Sequence, residues 1–313
     1  MFMKTANSIS MLLALLVIGY SGSALSQQPA AQAQGVPVST IVSVEAKHGK
    51  EVPTIYKEDV RVLHGHDRLP VVEWTPCLGD RIGTELFLLV DEANSTELGL
   101  QLGDLGKFIN SQTDGTAVAV GYIRDGIVDV RQNFTKDHAL AAKALRLPFG
   151  SAGALGSPYT AITDLVHRWP QTANCREILL LSSGIDALQP GFTNSYLDEA
   201  IDALQRAGIQ AYSIYTSHAG HVGHTFWRFN VGQNNLSRLT DETGGEAYFQ
   251  GLEMPISFGP YLNTYGERLK HQFLLTFKIE PEKKPGFQKI RVETEVANAE
   301  LVAAERVYVA EQK

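Results

Sequence analysis

Hydrophobic positions along the chain change period twice. Between Thr40 and Trp74 they fall in short runs, TIVSVEA, DVRVLHG and LPVVEW, divided by the turn-forming stretches HGKEVP and HGHDR. Such runs bounded by turn residues predict β-strands. LFLLV (86–90) is then a continuous apolar run, as a strand covered on both faces requires. Leu98, Leu102, Leu105 and Ile109 recur at helical spacing with Phe108 beside them, so Thr96–Asn110 is expected as an amphipathic helix. TAVAVGYIR and IVDVRQNF read as strands joined by Asp125-Gly126, a strong hairpin dipeptide.

Helices are expected over HALAAKALRL, TAITDLVHRW, Tyr196–Ala207, NLSRLTDET and PYLNTYGERLKHQ, and buried strands over REILLLSS and QAYSIYTS. Gly208 and Gly244-Gly245 stand where two of those helices should stop. Strands alternating with helices of this length predict an α/β fold, a doubly wound, mostly parallel sheet covered by helices. From Phe273 the pattern returns to β, through FLLTFKIE, QKIRVETEV and ELVAAERVYV. The two β portions flank the α/β unit, which predicts a β-sandwich-like module built from both chain ends.

The amino terminus follows another logic. Lys4 precedes an apolar core, MLLALLVIGY (11–20), and the small residues SGSALS. That layout predicts a signal peptide over residues 1–26, cleaved before Gln27, with AQA (31–33) as a later option. Residues 27–38, with no large aromatic or clustered apolar side chains, are expected as a disordered leader. The remaining expected boundaries are 39–76 for the amino-terminal β module, 77–272 for the α/β domain and 273–313 for the carboxyl-terminal β segment. An exported, periplasmic or extracellular protein follows, with no transmembrane span in the mature chain.

Composition narrows the classes of function. The chain is 44% hydrophobic and 19% charged with net charge −7, ordinary for a globular protein and without the basic footprint of a nucleic-acid binder. Ser182-Ser183-Gly184 ends a strand but lacks the glycine two residues upstream that a nucleophile elbow needs, which argues against a hydrolase. His218, His221 and His224 stand three apart among glycines, a spacing that can ligate zinc or copper. The alternative is a polar loop whose imidazoles bond the backbone. Tyr248, Phe249, Phe258, Tyr261 and Tyr265 could line an interaction surface, or pack the last helix. Asn94, Asn133 and Asn235 each open a glycosylation sequon.

The order strand, Asp91 loop, helix, hairpin, helix, Thr160 helix and SSG strand end resembles a von Willebrand factor A domain, a Rossmann-like fold. More closely it resembles exported bacterial von Willebrand factor A-related proteins. The likeness covers Gly83 to Gln272, and the flanks extend it. It implies a non-enzymatic binding or adhesion module using the top face of the domain, with a protein partner of unknown identity. It also implies a metal-ion-dependent adhesion site at Asp91, Ser95, Thr160 and Ser183. The site is degenerate, since Ala93 replaces its first serine and Ser183 its second aspartate. Magnesium is therefore expected to be held weakly or not at all, unless Glu92 or Asp186 turns inward. Otherwise Asp91, Ser95 and Thr160 should bond one another and cap the following helices. A metal-independent envelope scaffold and, less favoured, a metalloenzyme using the histidine loop are the alternatives.

The resemblance also makes the strands ending at Asp91 and Ser183 parallel neighbours. Cys77 and Cys175 precede them, and LGDRIG between Cys77 and its strand can fold back. A Cys77–Cys175 disulfide is expected, with a Cα separation of about 5–6 Å, and export would supply the oxidising compartment.

Overall fold

A computed structural model describes residues 35–49, 51–79, 81–150, 156–172, 174–219, 225–251, 253–280 and 284–310. The expected signal peptide and most of the leader lie outside the described residues. In chain order the elements are β1 (Val36–Ala46), β2 (Val60–His64), β3 (Asp67–Leu69), β4 (Val71–Pro76), β5 (Thr84–Asp91), α1 (Leu102–Asn110), β6 (Thr116–Arg124) and β7 (Ile127–Thr135). Next come α2 (His138–Lys143), α3 (Pro158–Arg168), β8 (Cys175–Ser182), α4 (Ser195–Ala207), β9 (Ile209–Tyr215), α5 (Phe226–Thr243), β10 (Ala247–Tyr248) and α6 (Gly259–Lys270). The chain closes with β11 (Gln272–Ile279), β12 (Gly286–Lys289), β13 (Arg291–Thr294), β14 (Ala299–Ala303) and β15 (Arg306–Val309).

Six strands form the central sheet in the order β10-β9-β8-β5-β6-β7. All neighbours are parallel except β6 and β7, whose hairpin turns at Asp125 and Gly126 with φ of 51° and 77°. Both turn residues are left-handed, as a two-residue hairpin requires. Because successive strand residues face opposite ways, Phe87 and Leu89 join the core under α3, α4 and α5. Leu86, Leu88 and Val90 point into the other core, under α1 and α6. This is why LFLLV is apolar at every position.

Both chain ends build the second module. β1 pairs with β11 and β14, and β11 pairs with β4, giving the order β14-β1-β11-β4. β13-β2-β3 and β12-β15 complete it, around a core that includes Val42, Val62, Phe277 and Val307. The module sits against the amino ends of β8 and β9: Gln210 Nε2 donates to Ile41 O at 3.1 Å, and Arg268 pairs with Glu45 at 2.8 Å. The Cys77–Cys175 disulfide crosses the same seam, buried beside Ile41, Ile82 and Leu274. Its Cα separation is 5.6 Å. Cys175 lies opposite Thr84 in register, and the segment from Cys77 folds back through a Gly79 N to Ile82 O bond to bring the two together.

Several elements differ from expectation. β1 begins at Val36, inside the expected leader, because pairing with Ile279 extends the strand. Residues 96–101 form a 3-10 helix, so α1 starts only at Leu102. QKIRVETEV and ELVAAERVYV each divide into two strands of different sheets, with Ile290 N bonded to Glu305 O at the two corners. Strands that bend this way let one segment close two sheets. α5 starts at Phe226, well before NLSRLTDET. Its middle turn carries Gly232, where a Cβ would stand 2.2 Å from Ser183 O. A glycine there permits the close approach and leaves no apolar signal in the sequence.

Candidate functional site

The loops following β5, β8 and β9 meet at the carboxyl end of the sheet, where ligands of open α/β folds commonly bind. Asn94 locks them together. Its side chain donates to Leu181 O at 2.8 Å and accepts from Thr216 Oγ1 at 2.6 Å, and its backbone bridges His218. Asn94 is fully buried, as is Asn235, so of the three sequons only Asn133 presents its asparagine to solvent.

Asp91 ends β5 and is buried. Its Oδ1 accepts from Ala93 N at 2.9 Å and its Oδ2 from Ser182 Oγ at 2.7 Å. Burial raises its pKa above the ordinary carboxylate range, the Ala93 and Ser182 bonds and His218 pull it down, and Glu92 pushes it up. The other expected ligands are engaged elsewhere. Ser95 Oγ accepts from Glu97 N and caps the 3-10 helix. Ser183 Oγ accepts from Ile185 N at 3.3 Å. Thr160 lies inside α3 and turns its hydroxyl to Ser157 O at 2.9 Å and Gly126 O at 3.2 Å. The expected mutual bonding of Asp91, Ser95 and Thr160 is thus replaced by an Asp91–Ser182 bond, while the capping role holds for Ser95.

Two nearby carboxylates are also spent. Glu92 pairs with Arg146 and accepts from Phe149 N at 2.6 Å. Asp186, fully buried, accepts from Ser157 Oγ at 2.5 Å, Asn194 Nδ2 at 3.0 Å, and the backbone of Leu188 and Gln189. Ser157 and Asn194 are the N-caps of α3 and α4, so one carboxylate fixes two helix starts. Sequence reasoning missed this pair, although Ser157-Pro158 ahead of an apolar helix is an N-terminal signal.

A cleft of about 10 Å³ lies beside Asp91, with Ala93, Ile123, Pro158, Ile185 and His218 also in its lining. That is room for about one water. His218 is buried, with Nδ1 2.7 Å from Ala219 O. His221 and His224 lie outside the described residues. Among the described residues no three His, Cys, Asp or Glu side chains gather as a metal site. Magnesium takes near-octahedral oxygen ligands. One carboxylate already accepting two bonds, with its neighbouring hydroxyls turned to carbonyls or amides, does not fit that ion.

Phe258 and Tyr265 are fully buried and Tyr248 nearly so, all packed in the core under α1 and α6. Phe249 alone of the late aromatics is exposed.

No family model matches the chain, and no curated protein matches it. Among solved structures, a von Willebrand factor type A protein from Catenulispora acidiphila is similar at 11% identity, covering 91% of this chain and 76% of that one, with a TM-score of 0.45. The von Willebrand factor domain of the type V pili tip protein Mfa5 from Porphyromonas gingivalis matches at 12% identity and TM-score 0.41, over 59% of this chain and 94% of that one. An aerotolerance-related membrane protein from Bacteroides fragilis matches at 12% identity and TM-score 0.42, over 60% and 98%. Likenesses this distant carry no argument of their own. The fold assignment rests on the strand order and helix placement given above.

Proposed function

We propose that this chain is an exported, non-enzymatic protein-binding module that presents the carboxyl end of its central sheet to a protein partner without a metal ion. The distribution of exposed large apolar side chains carries the reading. Among the described residues these include Leu100, Ile127, Leu147, Phe149, Leu188, Phe192, Phe226, Trp227, Phe249 and Ile256, all at the carboxyl end of the sheet. Among the described residues, only Tyr56, Val72 and Leu140 of this class lie elsewhere. Apolar groups gathered on one face mark an interaction surface, and aromatic anchors dominate such surfaces. Phe192, from the loop after β8, and Trp227, in the first turn of α5, meet edge to face at 6.1 Å. Among the described residues, the β module covers the amino end of the sheet and not the carboxyl end.

The Cys77–Cys175 disulfide supports export, since such bonds persist in oxidising compartments. No helix among the described residues is long and apolar enough to cross a membrane. The test is affinity retention of proteins from the host's envelope and secreted fractions. The native chain should retain a discrete protein, with or without EDTA, and the Phe192→Ser, Trp227→Ser double variant should not. Equal retention by both, or loss with EDTA alone, contradicts the reading.

A further inference from the structure

We propose that Glu177 is a proton-dependent latch between the central sheet and the β module. Carrying a proton, it donates to Gln272 and holds β11 against the sheet; ionised, it lets the seam open.

The latch is a matter of position first. Glu177 stands near the amino end of β8, between Leu86 of β5 and Gln210 of β9 in register. It is fully buried, and Tyr265 Oη of α6 donates to its Oε2 at 2.6 Å. Its Oε1 has no hydrogen-bond partner among the described residues. Gln272, the first residue of β11, lies against it from the side of the β module.

The surrounding bonds fix which end of the Gln272 amide is free. Gln210 Nε2 donates to Ile41 O at 3.1 Å, so Gln210 Oε1 is an acceptor turned to the seam. Gln272 Nε2 donates to that oxygen at 3.2 Å and to Tyr212 Oη at 3.1 Å. Gln272 Oε1, also buried, is left without a donor among the described residues. Two buried acceptors in one cluster, neither with a donor, are costly to keep apart from water. A proton on Glu177 Oε1 makes that oxygen a donor and satisfies both at once.

The charged and titratable groups facing Glu177 leave it no other partner. Arg268 of α6 is held by Glu45 and Glu246 at 2.8 Å each. Burial pushes the phenols of Tyr265, Tyr212 and Tyr248 up, so all three stay neutral. Leu86 on β5 carries no charge, and Cys175 is in the disulfide and does not titrate. Burial raises the pKa of Glu177 to about 7, which accords with the neutral form. An open seam returns the group to its ordinary value of 4.5. Opening is therefore opposed fully below 4.5, and the opposition is lost as pH rises to about 7.

The Cys77–Cys175 disulfide, buried in the same seam, reports the opening. The test is its rate of reduction by a small phosphine in the native protein and in Glu177→Gln, which keeps the neutral shape. The ratio of the two rates cancels the reagent's own response to pH. It should be close to unity at the acid end of the window and rise about tenfold or more by the upper end. Low urea, which speeds global unfolding, should leave the ratio unchanged. The infrared band of a protonated carboxyl should fade as pH passes about 7, be missing in Glu177→Gln, and shift in Gln272→Leu. A constant rate ratio, reduction that tracks global unfolding, or a band unmoved by Gln272→Leu would overturn the proposal.

Discussion

Ser182 Oγ stands 2.7 Å from Asp91 Oδ2 and also accepts from Gly184 N at 3.1 Å. One hydroxyl thus ties the β5 and β8 loops, using both its donor and an acceptor position. Ser182→Ala would leave a buried carboxylate oxygen short of a partner. Such a loss costs about 1–3 kcal/mol, and urea denaturation should show a fall of that order with the fold retained.

Glu177, fully buried in β8, accepts from Tyr265 Oη at 2.6 Å. Burial raises its pKa to about 7, against the pull of Tyr265, Gln272 and Arg268. The folded state therefore holds a proton that the unfolded chain releases near its ordinary value of 4.5. The stabilisation is fully present below that value and is lost as pH rises to about 7, where the folded group also ionises. The loss is about 3 kcal/mol by linkage. Denaturation midpoints should decline across this window in the native chain, and Glu177→Gln should flatten the decline and be the more stable form above it. An unchanged profile would remove Glu177 as its cause.

The disulfide closes a loop with a sequence separation of 98 residues. In the chain-entropy model closing a loop of that size stabilises the fold by about 5 kcal/mol. The Cys77→Ala, Cys175→Ala double variant should unfold at lower denaturant by a corresponding amount. Mass spectrometry of native, alkylated protein should find neither cysteine labelled.

Removal of residues 273–313 deprives β1 of both its neighbours and β2 of β13. A hairpin alone is marginal in water. Limited proteolysis of that truncated chain should cut freely between Val36 and Trp74, and a resistant fragment there would count against the shared module.

What was legible followed from local physics. Asp125-Gly126 announced a hairpin because few residues tolerate two left-handed positions in succession. Gly208 and Gly244 announced helix ends for the same reason, and both adopt positive φ. LFLLV announced a doubly covered strand. What was hidden depended on tertiary direction. Thr160 was expected as a ligand only through the resemblance; the start of α3 at Pro158 places it in the first turn, where its hydroxyl reaches the Ser157 carbonyl. The Ser157–Asp186 bond joins segments 29 residues apart, and no periodicity reports it. Gly232 concealed half of α5, because a close backbone contact demands the absence of a side chain.

The central claim is that this face works without a metal, since Asp91 is satisfied by Ser182 and Ala93 from within. Calorimetric titration of magnesium into the native protein tests it most directly. The account predicts no saturable heat at millimolar magnesium, whereas one-site binding in the micromolar range would contradict it.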